Sequence, residues 1–236
     1  MTVADTISIK PLSREEIGSI YVGLMRQIVL RLEAIKNSAA EAVAQISHAS
    51  NWQNAEFCYL QIRRICEYAA IGVLVAHGER TEFLSQSFLK EWNAGKLFQK
   101  LISLNPNSFP TPVITHLNAD GEGVHQLEIK ERLLDGVGVA TIYNACGDRL
   151  HASSLRRILK GKLPDYSFDD IASWANSLVR TLENHVILLP EVSSVMLVAL
   201  RDKDDGQAHC SFADADGPSA YIPENSPAKF SLVGKI

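Results

Sequence analysis

Four groups of side chains in this chain have residue types and spacings that could do chemistry. The first is Glu56, Arg63 and Glu67, seven and then four residues apart, which puts them along one side of a helix. Arg63 and Glu67 adjoin the run Ile65-Cys66-Glu67-Tyr68-Ala69-Ala70-Ile71-Gly72-Val73-Leu74-Val75-Ala76, which has no polar stripe. A helix that is apolar all round is normally buried on every side, and a carboxylate inside it must be paired, protonated or beside a cavity. The spacing predicts an intrahelical ion-pair ladder. The functional alternative is a buried Arg63/Glu67 cluster that senses a small ligand or tunes a proton. The second group is Tyr143-Asn-Ala-Cys146-Gly147-Asp148-Arg149-Leu-His151. Asp148 and His151, three apart, are close enough for the carboxylate to orient the imidazole, which makes them candidate ligand-binding residues. Cys146 and His151, five apart, diverge on a regular helix, so a thiol–imidazole dyad would need unusual geometry. Gly147 costs about 1 kcal/mol against Ala in mid-helix, which predicts a close approach of another helix or a ligand.

The third group is Arg180-Thr181-Leu182-Glu183-Asn184-His185. An Arg, four residues and then a His resembles the catalytic motif of HEPN-type helical ribonucleases, whose Arg and His act on the RNA backbone. The resemblance covers these six residues and the general idea of a helical bundle. It implies Arg180 and His185 as the catalytic pair. Residues five apart on a regular helix point about 140° from each other, so the two would converge only at a helix end or in a dimer cleft. The fourth group is His116 and His125, placed opposite each other if Asp120-Gly121 forms a hairpin turn, with Cβ atoms roughly 5 Å apart. Two ligands fall short of the three or four that zinc takes from protein, so His116 and His125 are weak metal candidates and no metal site is expected. No phosphate-cradling loop, nucleophile elbow or HExxH pattern occurs, and no cofactor is expected.

The elements that must carry these residues have readable ends. Ser13 and Glu16 form a capping box flanked by Leu12 and Ile17, and apolar residues then recur at helical spacing as far as Ile46. A second helix starts near Trp52 and stops at Gly78, antiparallel to the first because the connection is short. A third helical region covers Glu79 to Leu104 with a break near Gly95, and the three prolines between Asn105 and Pro112 mark the internal boundary. Two β-hairpins follow from period-two segments around Asp-Gly turns, near 113–129 and 195–213. Between them lie a helix from Val137 to Leu159, closed by Gly161 and Pro164, and a helix capped by Ser167. The latter is expected to run to Leu189, with Ile171, Trp174, Leu178, Leu182 and His185 on its apolar face.

Segregated helices and hairpins argue an α+β fold, mainly a helical bundle with two β-hairpins. The expected organisation is an N-terminal helical part at 1–104, a hairpin-helix-helix-hairpin part at 113–213 packed on it as one compact domain, and an extended tail at 214–236. A formal charge of −4 supplies no electrostatic footprint for nucleic acid or anionic membrane. Arg149, Arg156 and Arg157 form a local basic cluster, read as a solvated helix end with nucleic-acid contact as the lesser alternative. Cys58, Cys66, Cys146 and Cys210 show no CxxC spacing, and no signal-like or membrane-length apolar segment occurs, so a reduced, cytoplasmic protein is expected. The resulting expectation is a non-catalytic interaction or regulatory domain, binding a protein partner or self-associating as a homodimer. The HEPN-like ribonuclease and the small-ligand sensor are the alternatives.

Overall fold

Ser13 begins the first helix as its spacing predicts: its backbone N–H donates to the Glu16 carboxylate at 2.8 Å, and its hydroxyl accepts from the Glu16 N–H at 3.2 Å. The computed structural model describes residues 10–44, 51–80, 83–91, 93–104, 108–117, 124–151, 159–160, 166–189, 194–214 and 230–231. Helix α1 (Arg14–Ala44) and helix α2 (Asn51–Ala76) run antiparallel. The Leu12 N–H donates to the Gly78 carbonyl at one end, and Cys58 reaches the Ile35 carbonyl towards the other. Helix α1 buries Ile17, Tyr21, Met25, Ile28 and Ile35, and α2 buries Tyr59, Ile62, Ile65, Cys66, Ala69 and Val73.

The apolar half of α2 is not enclosed on every side, contrary to the expectation from its composition. Helix α1 and later helices cover its inner face, while Ile71 remains 41% exposed and Glu67, Tyr68, Leu74 and Val75 are half-buried. Composition alone cannot distinguish a central helix from one that keeps an apolar outer flank.

The third helical region resolves into a single turn, α3 (Gln86–Leu89), and α4 (Ala94–Leu104). The interruption precedes Gly95, because Asn93 caps α4 by accepting from the Lys96 N–H at 3.1 Å. Helix α5 (Gly136–Leu150) starts at Asp135, whose carboxylate accepts from the Gly138 N–H at 2.7 Å, and ends with His151 as its C-cap. Helix α5 therefore stops nine residues short of the predicted Leu159, because the backbone is already extended at His151; residues 152–158, Gly161 and Pro164 lie outside the described residues. Helix α6 (Phe168–Leu182) is capped by Ser167 as predicted, with the hydroxyl accepting from the Asp170 N–H at 3.1 Å.

Helix α6 stops seven residues short of the predicted Leu189. Asn184–Leu188 is instead strand β3, in the middle of a sheet. The predicted hairpins are present as β1 (Thr111–Leu117) with β2 (Val124–Ile129), and β4 (Ser194–Ala199) with β5 (His209–Asp214). Strand β3 pairs with β1 on one side and β4 on the other, joining both hairpins into one antiparallel sheet of order β5-β4-β3-β1-β2-β6. The edge strand β6 (Phe230–Ser231) comes from the predicted tail. Along β3 and β4 the side chains alternate: Ile187, Met196 and Val198 join the helical core, while Val186, Val195 and Leu197 meet Val113 and Leu127 on the other face. Strands apolar on both faces read as continuous hydrophobic runs, which is why Val186 to Leu189 resembled the end of a helix.

The result is a mixed α+β fold, mostly helical. Its main apolar cluster draws on α1, α2, α4, α5, α6, β3 and β4. Among the described residues, no helix is long and apolar enough to cross a membrane.

Candidate functional site

An open groove follows from the way α6 lies beside the second half of α1. Leu32, Ile35, Lys36, Ala39 and Val43 recur on α1 at helical spacing, and Phe168, Ile171, Ala172, Ala175, Asn176 and Val179 do so on α6. Leu32, Ile35 and Ile171 are buried and form the floor. The alanines at 39, 172 and 175 leave the space between the helix axes unfilled. The groove encloses about 520 Å³, a volume within the range of ligand-binding clefts. Charged side chains of both signs stand among its lining: Lys36, Glu183, and the ion pair of Glu33 with Arg201 that ties α1 to the start of the β4–β5 turn. None of these groove residues was singled out from the sequence as a site residue. The available signal was the repeat of small residues on α6 beside its apolar stripe.

Arg63 and Glu67 come together, as their spacing predicts, with Arg63 Nε 3.8 Å from one Glu67 oxygen and Arg64 Nη1 2.8 Å from the other. Glu56 does not join them; it accepts a short hydrogen bond from Tyr166 instead, and desolvation, reinforced by that bond, pushes the phenol up to about 12. The dominant partner of Arg63 is Tyr143 of α5. The guanidinium stacks 3.8 Å from the ring centroid and donates to both the hydroxyl and the backbone carbonyl. Gly147 explains this approach, since a Cβ there would lie 2.5 Å from Arg63 Nη1. The predicted close packing at Gly147 is thus occupied by an arginine of the same chain.

Beside this cluster Cys146 is buried, and desolvation raises its thiol to about 12 against the opposing pull of Arg63 and Arg149. It is therefore a neutral thiol at physiological pH. Asp148 and His151 lie exposed at the C-terminal end of α5, where the His151 backbone N–H donates to the Gly147 carbonyl. Arg149 turns inward to Asp170 at 3.1 Å and to the Tyr59 hydroxyl at 3.4 Å, whereas Arg156 and Arg157 lie outside the described residues.

The structure separates Arg180 from His185. Arg180 is exposed in the last turn of α6, while His185 sits on β3 with none of its surface exposed. Its Nδ1 donates to the Leu182 carbonyl at 2.9 Å, which leaves Nε2 to accept from the Tyr21 hydroxyl at 2.7 Å. Burial lowers its pKa to about 4, so the ring is neutral at physiological pH. Tyr21 contributes the complementary effect: full burial pushes its phenol far above the ordinary value, so the hydroxyl keeps its proton to donate.

His116 does not face His125. The β1–β2 register pairs His116 with Gln126, and an irregularity follows between His116 and Leu117. Between the Leu117–Val124 and His116–Gln126 pairs β2 has one residue more than β1, which shifts the register by one, where an unbroken ladder from a two-residue turn would have kept His116 opposite His125. His116 Nε2 lies 3.3 Å from the Glu128 carboxylate instead. Among the described residues, no three His, Cys, Asp or Glu side chains are grouped to hold a metal ion. No protein-family model matches the chain, and neither a curated protein nor a solved structure matches it.

Proposed function

We propose that this protein is a non-catalytic interaction domain of the cytoplasm whose α1–α6 groove receives one amphipathic helix of a partner protein. The observation that carries this reading is the groove itself: about 520 Å³ of open, largely apolar space walled by two helices. Its α1 wall runs from Leu32 to Val43, about 16 Å at the helical rise, or three turns of an occupant. Helix-in-groove recognition needs this kind of trough, read by anchors at i, i+3 or i+4 and i+7. Lys36, Glu33, Glu183 and Arg201 on the lining favour an occupant with charges of both signs flanking its apolar stripe. Four free cysteines, three of them buried, support a reducing compartment.

The ribonuclease alternative would need an imidazole that RNA can reach, and His185 has no exposed surface. The ligand-sensor alternative would need an Arg63 open to a ligand, and Tyr143, Glu67 and Gly147 already surround its guanidinium.

The test is a selection of displayed helical peptides against the whole chain, each peptide carrying an i, i+3, i+4, i+7 apolar pattern. Ala172 is exposed within the groove, so Ala172→Arg fills it without disturbing the core. Peptides enriched on the wild type are expected to bind this variant at least about tenfold more weakly. If no peptide is enriched, or those enriched bind both proteins equally, the groove is not a helix-binding site.

A further inference from the structure

The outer flank of α2 that remains uncovered has an order of its own. Phe57, Leu60, Arg64, Glu67, Ile71 and Leu74 alternate spacings of three and four residues, the a and d positions of a heptad sustained for 18 residues. Phe57 and Leu60 are each 42% exposed and Ile71 41%. The Arg64 and Glu67 side chains are 56% and 20% exposed, and Leu74 is half-buried. The stripe lies opposite the face that packs on α1 and α5, which carries Cys58, Ile62, Ile65, Ala69 and Val73. Four of these six positions, Phe57, Leu60, Arg64 and Ile71, are therefore presented outward, while Glu67 and Leu74 lie at the margin where the stripe meets the core.

The stripe is also its own complement when reversed. About the point midway between Ile65 and Cys66, Phe57 corresponds to Leu74, Leu60 to Ile71 and Arg64 to Glu67. In an antiparallel pair of helices a positions meet d positions, so each of these correspondences becomes a contact across a two-fold axis. The apolar residues meet apolar ones at both ends, and at the centre each arginine meets a carboxylate. A parallel pairing would instead set Arg64 against Arg64 and Glu67 against Glu67, and like charges facing each other are destabilising.

We infer that the protein forms a two-fold homodimer through the outer face of α2, packed antiparallel, with Arg64 paired to Glu67 of the partner subunit. The contact runs about 26 Å from Phe57 to Leu74 at the helical rise. The Arg64–Glu67 pair within each chain, at 2.8 Å, places both charges on the axis before association. Two chains then bring four alternating charges together. This surface is separate from the α1–α6 groove and does not depend on the groove's occupant.

Sedimentation equilibrium across the micromolar range tests the inference, with folding of each variant checked by circular dichroism. The wild type is expected to dimerise. Ile71→Asp, at an exposed position, is expected to raise the dissociation constant roughly a hundredfold, because the dyad repeats each change. Arg64→Glu gathers four carboxylates at the axis and is expected to weaken the dimer similarly. Adding Glu67→Arg to Arg64→Glu restores alternation, and is expected to recover association to within about tenfold of wild type. Orientation is read by oxidative cross-linking: Leu60→Cys chains mixed with Ile71→Cys chains form a disulfide, while Leu60→Cys chains alone do not. A chain that stays monomeric at every concentration overturns the inference. A dimer indifferent to Ile71→Asp and Arg64→Glu, failure of the double reversal to restore it, or cross-linking of Leu60→Cys with itself does so as well.

Discussion

Two side-chain pairs show how much a single residue's surroundings decide. Gly147 was legible as unusual from its place in a helix, yet what it admits is the Arg63 guanidinium over Tyr143. Opposing effects follow for Gly147→Ala. Helix propensity favours Ala by about 1 kcal/mol, while displacing Arg63 loses a cation–π contact and charge-assisted hydrogen bonds worth roughly 2 kcal/mol together. In wild type, Gly147→Ala is expected to destabilise by about 1 kcal/mol. In an Arg63→Ala background, the same substitution is expected to stabilise. A double-mutant cycle by urea denaturation checks the change of sign. His185 gives the second case. Its folded pKa of about 4 lies below the ordinary histidine value of 6.5, so the unfolded chain takes up the proton first as pH falls. Stability from this residue is complete above pH 6.5 and is lost between 6.5 and about 4, with no further loss below. Across that window the wild type is expected to lose about 1.4 kcal/mol per pH unit more than His185→Gln. Parallel slopes for the two proteins would mean that the histidine is not buried neutral.

Among the elements, the side-chain-capped helix beginnings were legible and the end of α6 was not. Ser13 with Glu16, and Ser167 with Asp170, announce α1 and α6 because a cap is a short-range bond between residues three apart. The end of α6 depends on something remote. Asn184–Leu188 leaves the helix because β1 and β4 lie on either side to accept it as a strand, and Val186 and Ile187 suit that role by their branching. The same limit applies to the β1–β2 hairpin, where a bulge near Leu117 moves His116 away from the position that turn chemistry alone assigned. For α2, the heptad on its outer flank was present in the sequence but invisible, because the inner face is equally apolar. Only the packing of α1 and α5 against one side distinguishes the two stripes.

At the scale of the molecule, one apolar cluster links the first helix to the fourth strand, with Tyr21, Ile62, Phe98, Tyr143, Ile187 and Met196 all in it. A core continuous across the Pro-rich segment near residue 108 couples the helices to the sheet. Far-ultraviolet circular dichroism and near-ultraviolet tyrosine and tryptophan signals are therefore expected to change together in a single denaturant transition. Separate midpoints for the helical and aromatic signals would show that the two parts unfold independently.

What the amino-acid order determined by itself was local: the α+β class, the two hairpins, the capped helix starts and the Arg63–Glu67 pair, each set by interactions across a few residues. The tertiary structure decided the assignments that depend on remote neighbours. It placed β3 between the hairpins, turned His185 inward to Tyr21, opened a groove between α1 and α6, and left one face of α2 bare. Those outcomes require knowing which surfaces meet, and segments far apart in sequence encode that only jointly, through packing and burial.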